Sequence, residues 1–99
     1  MSKIKEHSNF NDILKVKLQN PELAIAYLNE ALANEDKKVF LIALRDVIEA
    51  RGNITTFAEM ADIPRQTIYR MLSEEGNPTF DKLAAIFEAM GFRIQLTLA

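Results

Sequence analysis

The segment that decides the fold is residues 57–72, FAEMADIPRQTIYRML. Its apolar residues recur at helical spacing on both sides of a short break at Asp62 and Ile63. Pro64 suits the first position of a second helix, because its φ is already helical and its missing N–H would have no partner there. Ala58 supplies the small side chain that two crossing helices need. The segment therefore predicts two helices joined by a tight turn, with an apolar seam of Phe57, Ala61, Ile63, Ile68, Met71 and Leu72.

The second of these helices has a distinctive outer face. When its apolar residues turn inward, its polar residues point outward, and no acidic residue occurs between positions 64 and 73. Arginine can pair with guanine and glutamine with adenine in the major groove, while the other side chains can reach phosphates. The pattern predicts a DNA-binding helix-turn-helix that uses Arg65, Gln66, Thr67, Tyr69 and Arg70. An ordinary helical hairpin with a solvated charged face is the alternative.

The polar loop after this segment, residues 73–78, leads into another helix that begins near Thr79 and is closed by Gly91. Asn77 and Thr79 lie where backbone N–H groups at a helix start can hold a phosphate, which would extend the DNA contact. Asn77 can equally be a turn former and Thr79 a simple N-cap, since both roles use the same helix-end geometry. The sequence leaves these two readings open.

The 99-residue length fits one domain that needs no disulfide to hold its core. The chain has 12 basic and 14 acidic residues, and this acidity counts against general nucleic-acid affinity. DNA binding must therefore come from local charge and geometry, doubled in a dimer. No window approaches the roughly 18 apolar residues of a membrane span, and no signal peptide opens the chain. The absence of cysteine fits a cytoplasmic protein.

The remaining sequence predicts one helical domain over residues 10–99, preceded by a flexible arm at residues 1–9. Within it, residues 10–51 form N-terminal helices and residues 52–91 the helix-turn-helix core. A short first element contains Phe10, and Asn20-Pro21-Glu22 starts the next helix with an N-cap, a proline and a first-turn acid. Residues 34–36 separate it from a third helix, which ends with Gly52 as a left-handed cap.

The tail changes from helical to alternating periodicity. Its apolar residues occupy every second position, which predicts a β-strand over residues 92–98. A lone strand in a helical chain has unpaired backbone groups, so it is expected to pair with the same strand of a second copy. A frayed tail is the alternative. The predicted dimerisation residues are Phe92, Ile94, Leu96 and Leu98.

No catalytic or metal-binding pattern is recognisable. His7 is the only histidine and lies in the predicted arm, there is no cysteine, and the three glycines form no phosphate-binding loop. The sequence therefore predicts a protein that is not an enzyme and has neither cofactor nor metal.

Several stretches beyond the helix-turn-helix resemble the addiction-module antidote proteins of the HigA-like, Xre-type group. They are residues 20–22, 27–32, 40, 43–47, 52–72, 75–81, 83 and 89–92, so that the resemblance spans about residues 10–95. It departs from the group at Asp62, where a glycine is usual, although aspartate tolerates left-handed geometry better than most residues.

The sequence as a whole predicts an all-α fold of about five helices with a Cro/lambda-repressor-like helix-turn-helix, completed by the C-terminal strand that pairs across a homodimer. The resemblance implies an antitoxin that binds operator DNA to repress its own operon and neutralises a RelE/HigB-like ribonuclease toxin by direct binding. The alternative is a stand-alone Xre-family transcriptional regulator without a toxin partner. A short basic reading frame beside the gene would favour the antitoxin.

Overall fold

The computed structural model describes the backbone of residues 2–99 and the side chains of residues 10–99. The described residues form six α-helices and no strand: α1 (Ser2–Leu18), α2 (Pro21–Leu32), α3 (Lys37–Arg51), α4 (Ile54–Ala61), α5 (Arg65–Met71) and α6 (Phe80–Ala89). The prediction of an all-α protein is confirmed. The contacts divide the chain into two compact units, Met1–Arg51 and Gly52–Ala99.

The first unit is built from α1, α2 and α3, each of which packs on the other two. Asn20 caps α2 as predicted, because its Oδ1 accepts hydrogen bonds from the N–H groups of Glu22 at 2.9 Å and Leu23 at 3.2 Å. Asn34 and Asp36 accept hydrogen bonds from backbone N–H groups two residues further on, which turns the chain into α3. The buried core of this unit consists of Leu18, Ala24, Leu28, Ala31, Phe40, Leu41, Ala43, Leu44, Val47, Ile48 and Ala50.

α1 is longer than the short element predicted around Phe10, because its backbone is helical from Ser2. The sequence before Phe10 carries few apolar residues, so periodicity gave no signal there. The flexible arm predicted for residues 1–9 falls outside the side chains that the structure describes and stays a prediction.

The second unit contains α4, which packs on both α5 and α6. Its buried residues are Ile54, Phe57, Ala58, Ile63, Ile68, Met71, Leu72, Ile86 and Met90. Five of the six residues of the predicted apolar seam are buried, and Ala61 is half-buried. Gly91 closes α6 with a φ of 81°, and the N–H of Phe92 donates to the carbonyl of Phe87 at 2.8 Å.

Gly52 does not adopt the left-handed conformation predicted for it. A methyl group at this position would lie 3.1 Å from the ring of Phe57, so the glycine leaves room for that ring instead. Asn53 then caps α4 by accepting a hydrogen bond from the N–H of Thr56 at 2.8 Å. A glycine after a helix is ambiguous in sequence, because close packing and a left-handed cap both exclude larger residues.

Residues 92–99 form no strand within the described chain. Ile94, Leu96 and Leu98 are exposed, and pairing with a second copy remains a proposal.

Candidate nucleic-acid interface

The junction between α4 and α5 is fixed by three consecutive residues. Asp62 caps α4 in the left-handed region, with φ 56° and ψ 45°, and is the only non-glycine residue at positive φ in the described chain. Ile63 is buried and its N–H donates to the carbonyl of Ala58 at 3.0 Å. Pro64 is the N-cap of α5, whereas the sequence predicted it at the first helical position. Its carbonyl accepts hydrogen bonds from the N–H groups of Thr67 and Ile68. These hydrogen bonds and the burial of Ile63 hold α5 at a set angle on α4.

α5 is divided into a buried side and an exposed side. Ile68 is completely buried and Met71 nearly so, which fixes the rotation of the helix about its axis. The predicted DNA-contacting residues Arg65, Gln66, Tyr69 and Arg70 are all exposed. At 100° per residue these four positions span an arc of about 140° on a helix about 10 Å long. The structure therefore brings them together on one continuous polar face.

The other three predicted contact residues lie in different surroundings. Thr67 is half-buried on the edge of the α5 face. Asn77 is exposed in the loop before α6, and Thr79 is the N-cap of α6, with its hydroxyl oxygen accepting from the N–H of Lys82 at 3.3 Å. The prediction of Thr79 as an N-cap is confirmed. The proton of the Thr79 hydroxyl is still available to donate to a phosphate.

Gly76 shapes the loop that carries Asn77. Its N–H donates to the carbonyl of Ser73 at 2.8 Å, and a Cβ at this position would lie 2.0 Å from the carbonyl oxygen of Met71. Only glycine allows the loop to pass this close to the end of α5. The sequence of the loop does not reveal this requirement, because the carbonyl lies five residues earlier in the chain.

The charge of this face is local. Residues 52–99 contain four basic and six acidic residues, so the second unit is acidic as a whole. The α5 face itself has two arginines and no acid, while Glu59 and Asp62 line a shallow depression beside Arg65. The guanidinium of Arg65 donates to the hydroxyl of Thr55 at 3.4 Å and so connects α5 to α4. The contact of Arg65 with Thr55 was not predicted, because a spacing of ten residues gives no sign of a contact across a turn.

No group of three or more histidine, cysteine, aspartate or glutamate side chains in the described part of the chain could hold a metal ion. No helix within residues 2–99 is long and apolar enough to cross a membrane.

The fold and this face define a small all-helical protein with an exposed, acid-free polar helix. A family model described as "Probable addiction module antidote protein" matches residues 6–98. A protein of Haemophilus influenzae, described only as uncharacterized, is 37% identical over 70 residues, which cover 71% of each chain. No solved structure matches the chain. The chain belongs to the family of probable addiction module antidote proteins.

Proposed function

We propose that this protein is a non-enzymatic antitoxin that represses its own operon through α5 and neutralises a RelE/HigB-like ribonuclease toxin by direct binding. Membership of the antidote family supports the antitoxin role in general. The observation that carries the DNA-binding half is the exposed face of Arg65, Gln66, Tyr69 and Arg70 on a helix whose rotation is fixed by buried Ile68.

In this proposal α4 and α5 act as a Cro-like helix-turn-helix of the HigA-like, Xre type, and α5 enters the major groove. An α-helix fits that groove, and arginine or glutamine can each make two hydrogen bonds to one base. Thr67, Asn77 and Thr79 then contact phosphates from the edge of α5 and from the start of α6. Because the second unit is acidic overall, specificity depends on these contacts rather than on general attraction to DNA.

The same proposal includes a homodimer. A palindromic operator requires two recognition helices about one DNA turn apart, roughly 34 Å, which a two-fold axis supplies. The exposed tail residues support strand pairing across that axis, because the described chain leaves Leu96 and Leu98 almost fully exposed and Ile94 about half exposed.

The toxin-binding half is assigned to the first unit. Residues 1–50 carry eight acidic and seven basic residues, so affinity must rest on apolar anchors rather than on net charge. Tyr27, Leu28 and Leu32 recur at helical spacing on α2 and are the candidate anchors. Of these, Leu28 is buried in the core, Tyr27 is half-buried and Leu32 is exposed, which leaves Leu32 as the candidate with a free surface.

Two experiments test the two halves. For DNA, Arg65→Ala with Arg70→Ala should weaken binding to the upstream operator by at least about 30-fold, as two base contacts of about 1–3 kcal/mol each are lost. Lys38→Ala with Arg45→Ala removes the same charge from the first unit and should change binding little. Unchanged operator affinity in the α5 double variant would refute the assignment.

For the toxin, co-expression with the product of the neighbouring gene should restore growth, and the two proteins should co-purify. A chain that binds its operator yet neither rescues growth nor co-purifies would be a stand-alone Xre-family regulator.

A further inference from the structure

The contact between Arg65 and Thr55 joins the two helices of the proposed helix-turn-helix through exposed side chains. Arg65 is the first residue of α5, and Thr55 is the second residue of α4. The Nη1 of Arg65 donates to the Oγ1 of Thr55 at 3.4 Å, across ten residues of sequence. Because both residues are exposed, losing this bond would cost the fold little, and its main effect is on where the guanidinium of Arg65 points.

The partner of Arg65 is a neutral hydroxyl, although two carboxylates are nearby. Glu59 and Asp62 line the same shallow depression as Thr55 and Arg65. Glu59 lies four residues after Thr55 on α4, so that the two share one side of the helix. Among the residues that the structure describes, neither carboxylate forms an ion pair with Arg65. Arg65 is therefore restrained by a neutral group at a place where acidic groups could have paired with it.

A neutral restraint leaves Arg65 better able to bind a base than an ion pair would. A bond between arginine and a carboxylate is charge-assisted and often occupies two N–H groups, so it would compete with guanine for the guanidinium. The bond to Thr55 uses one N–H group and is long, hence weak. The remaining N–H groups are sufficient for the two hydrogen bonds that arginine makes to guanine. The restraint also reduces the rotamer freedom that a long side chain loses on binding.

We infer that Thr55 is a positioning residue for sequence recognition: its hydroxyl holds the guanidinium of Arg65 in an orientation that can bind a guanine of the operator. The inference rests on the proposed operator binding and adds to it a residue outside α5. Residues near the start of a recognition helix reach base edges in helix-turn-helix proteins, and Arg65 has that position. Thr55 acts through Arg65 and not by a contact of its own with DNA.

The test is a double-mutant cycle in the full chain, with affinity for the upstream operator and for its single-base variants measured by fluorescence anisotropy. Thr55→Val removes the hydroxyl, keeps the shape, and should weaken operator binding about threefold to fivefold, as expected for one weak hydrogen bond. In a chain that carries Arg65→Ala, adding Thr55→Val should change the affinity by less than about twofold. Thr55→Val should also relax the base preference at the operator position where Arg65→Ala relaxes it, which a general loss of stability would not do.

Two further variants are controls for the hydroxyl and for the fold. Thr55→Ser keeps a hydroxyl and should restore both the affinity and the base preference of the parent. Thr56→Val removes the neighbouring hydroxyl, which donates to the Oδ1 of Asn53 at 3.1 Å and not to Arg65. It should leave operator affinity within about twofold of the parent, as for other surface substitutions. Thermal unfolding of each variant shows that it is folded.

Three results would overturn the inference. If Thr55→Val matches the parent in affinity and base preference, the bond has no part in recognition. If Thr55→Val causes the same loss with and without Arg65→Ala, Thr55 contacts the DNA itself. If Thr55→Ser binds as weakly as Thr55→Val, the hydroxyl is not the group that matters. A different result, in which Arg65→Ala alone binds as tightly as the parent, would remove Arg65 from the proposed DNA-binding face and this inference with it.

Discussion

The hydroxyl of Tyr27 on α2 donates a hydrogen bond of 2.7 Å to the carboxylate Oδ2 of Asp46 on α3. It joins two helices of the first unit through their side chains. Burial raises the pKa of Tyr27 to about 12, and the hydrogen bond to Asp46 and its negative charge act in the same direction. The pair therefore fixes the contact between α2 and α3 at a partly buried position.

Tyr27→Phe should lower the free energy of unfolding by about 1 kcal/mol at pH 7, because a charge-assisted hydrogen bond is lost at a site partly screened by solvent. The raised pKa also predicts a pH dependence. The unfolded chain releases the Tyr27 proton near pH 10, whereas the folded protein holds it to about pH 12. This contribution is complete below pH 10 and is lost between pH 10 and 12.

Urea unfolding at pH 7 and at steps from pH 9 to 11.5 measures both effects. The parent should lose stability more steeply than Tyr27→Phe above pH 10. Tyr69→Phe is the control, since Tyr69 is exposed on α5 and its loss should cost less than about 0.5 kcal/mol. Equal slopes for the parent and Tyr27→Phe would contradict the role given to this hydrogen bond.

Gly76→Ala should destabilise the second unit by about 2–3 kcal/mol, in the range of mutations that force a backbone shift. The new methyl group would meet the carbonyl oxygen of Met71, which belongs to the end of α5 and cannot move independently. Gly52→Ala is the comparison, because there the methyl group meets only the edge of the Phe57 ring, at 3.1 Å. Thermal unfolding of both variants tests the difference. Equal melting temperatures would mean that the loop accommodates a side chain.

Leu44→Ala should cost about 3–4 kcal/mol, because it leaves a cavity at a completely buried position of α3. Ile42→Ala, two residues earlier on the exposed side of the same helix, should cost less than about 1 kcal/mol. Chemical denaturation of the two variants under identical conditions provides the measurement. Similar losses would show that α3 buries a different face.

The helices were predictable wherever local chemistry and periodicity agreed. Asn20 before Pro21 predicted the start of α2, and the break at Asp62 and Pro64 predicted the junction of α4 and α5. Both were predictable because caps and prolines act on the residues next to them. The exposed polar face of α5 followed directly from the inward positions of Ile68 and Met71. These features depend only on neighbours within one or two helical turns.

Features that depend on contacts between distant residues could not be predicted from the sequence. The contact of Tyr27 with Asp46 crosses 19 residues, and that of Arg65 with Thr55 crosses ten, so neither leaves a periodic signal. The left-handed conformation predicted for Gly52 was wrong, because this glycine leaves room for the ring of Phe57 on the following helix. The exposure of Phe10, Ile13 and Val16 was also not predictable, since apolar residues at helical spacing are equally typical of a buried core.

The C-terminal tail gives the last prediction, which concerns the dimer. Leu96 and Leu98 are 93% and 99% exposed, and with Ile94 they occupy alternate positions, which would share one side of a β-strand. Phe92 is half-buried and its N–H belongs to the end of α6, so the test should leave residues 92 and 93 in place.

Removing residues 94–99 should convert a dimer into a monomer in sedimentation experiments. Operator affinity should fall by about 100-fold or more, because two linked half-site contacts become independent. Leu96→Pro should act in the same direction by removing one backbone N–H, whereas Leu96→Val should preserve the dimer. A shortened chain that still sediments as a dimer would show that the two copies associate through helices instead.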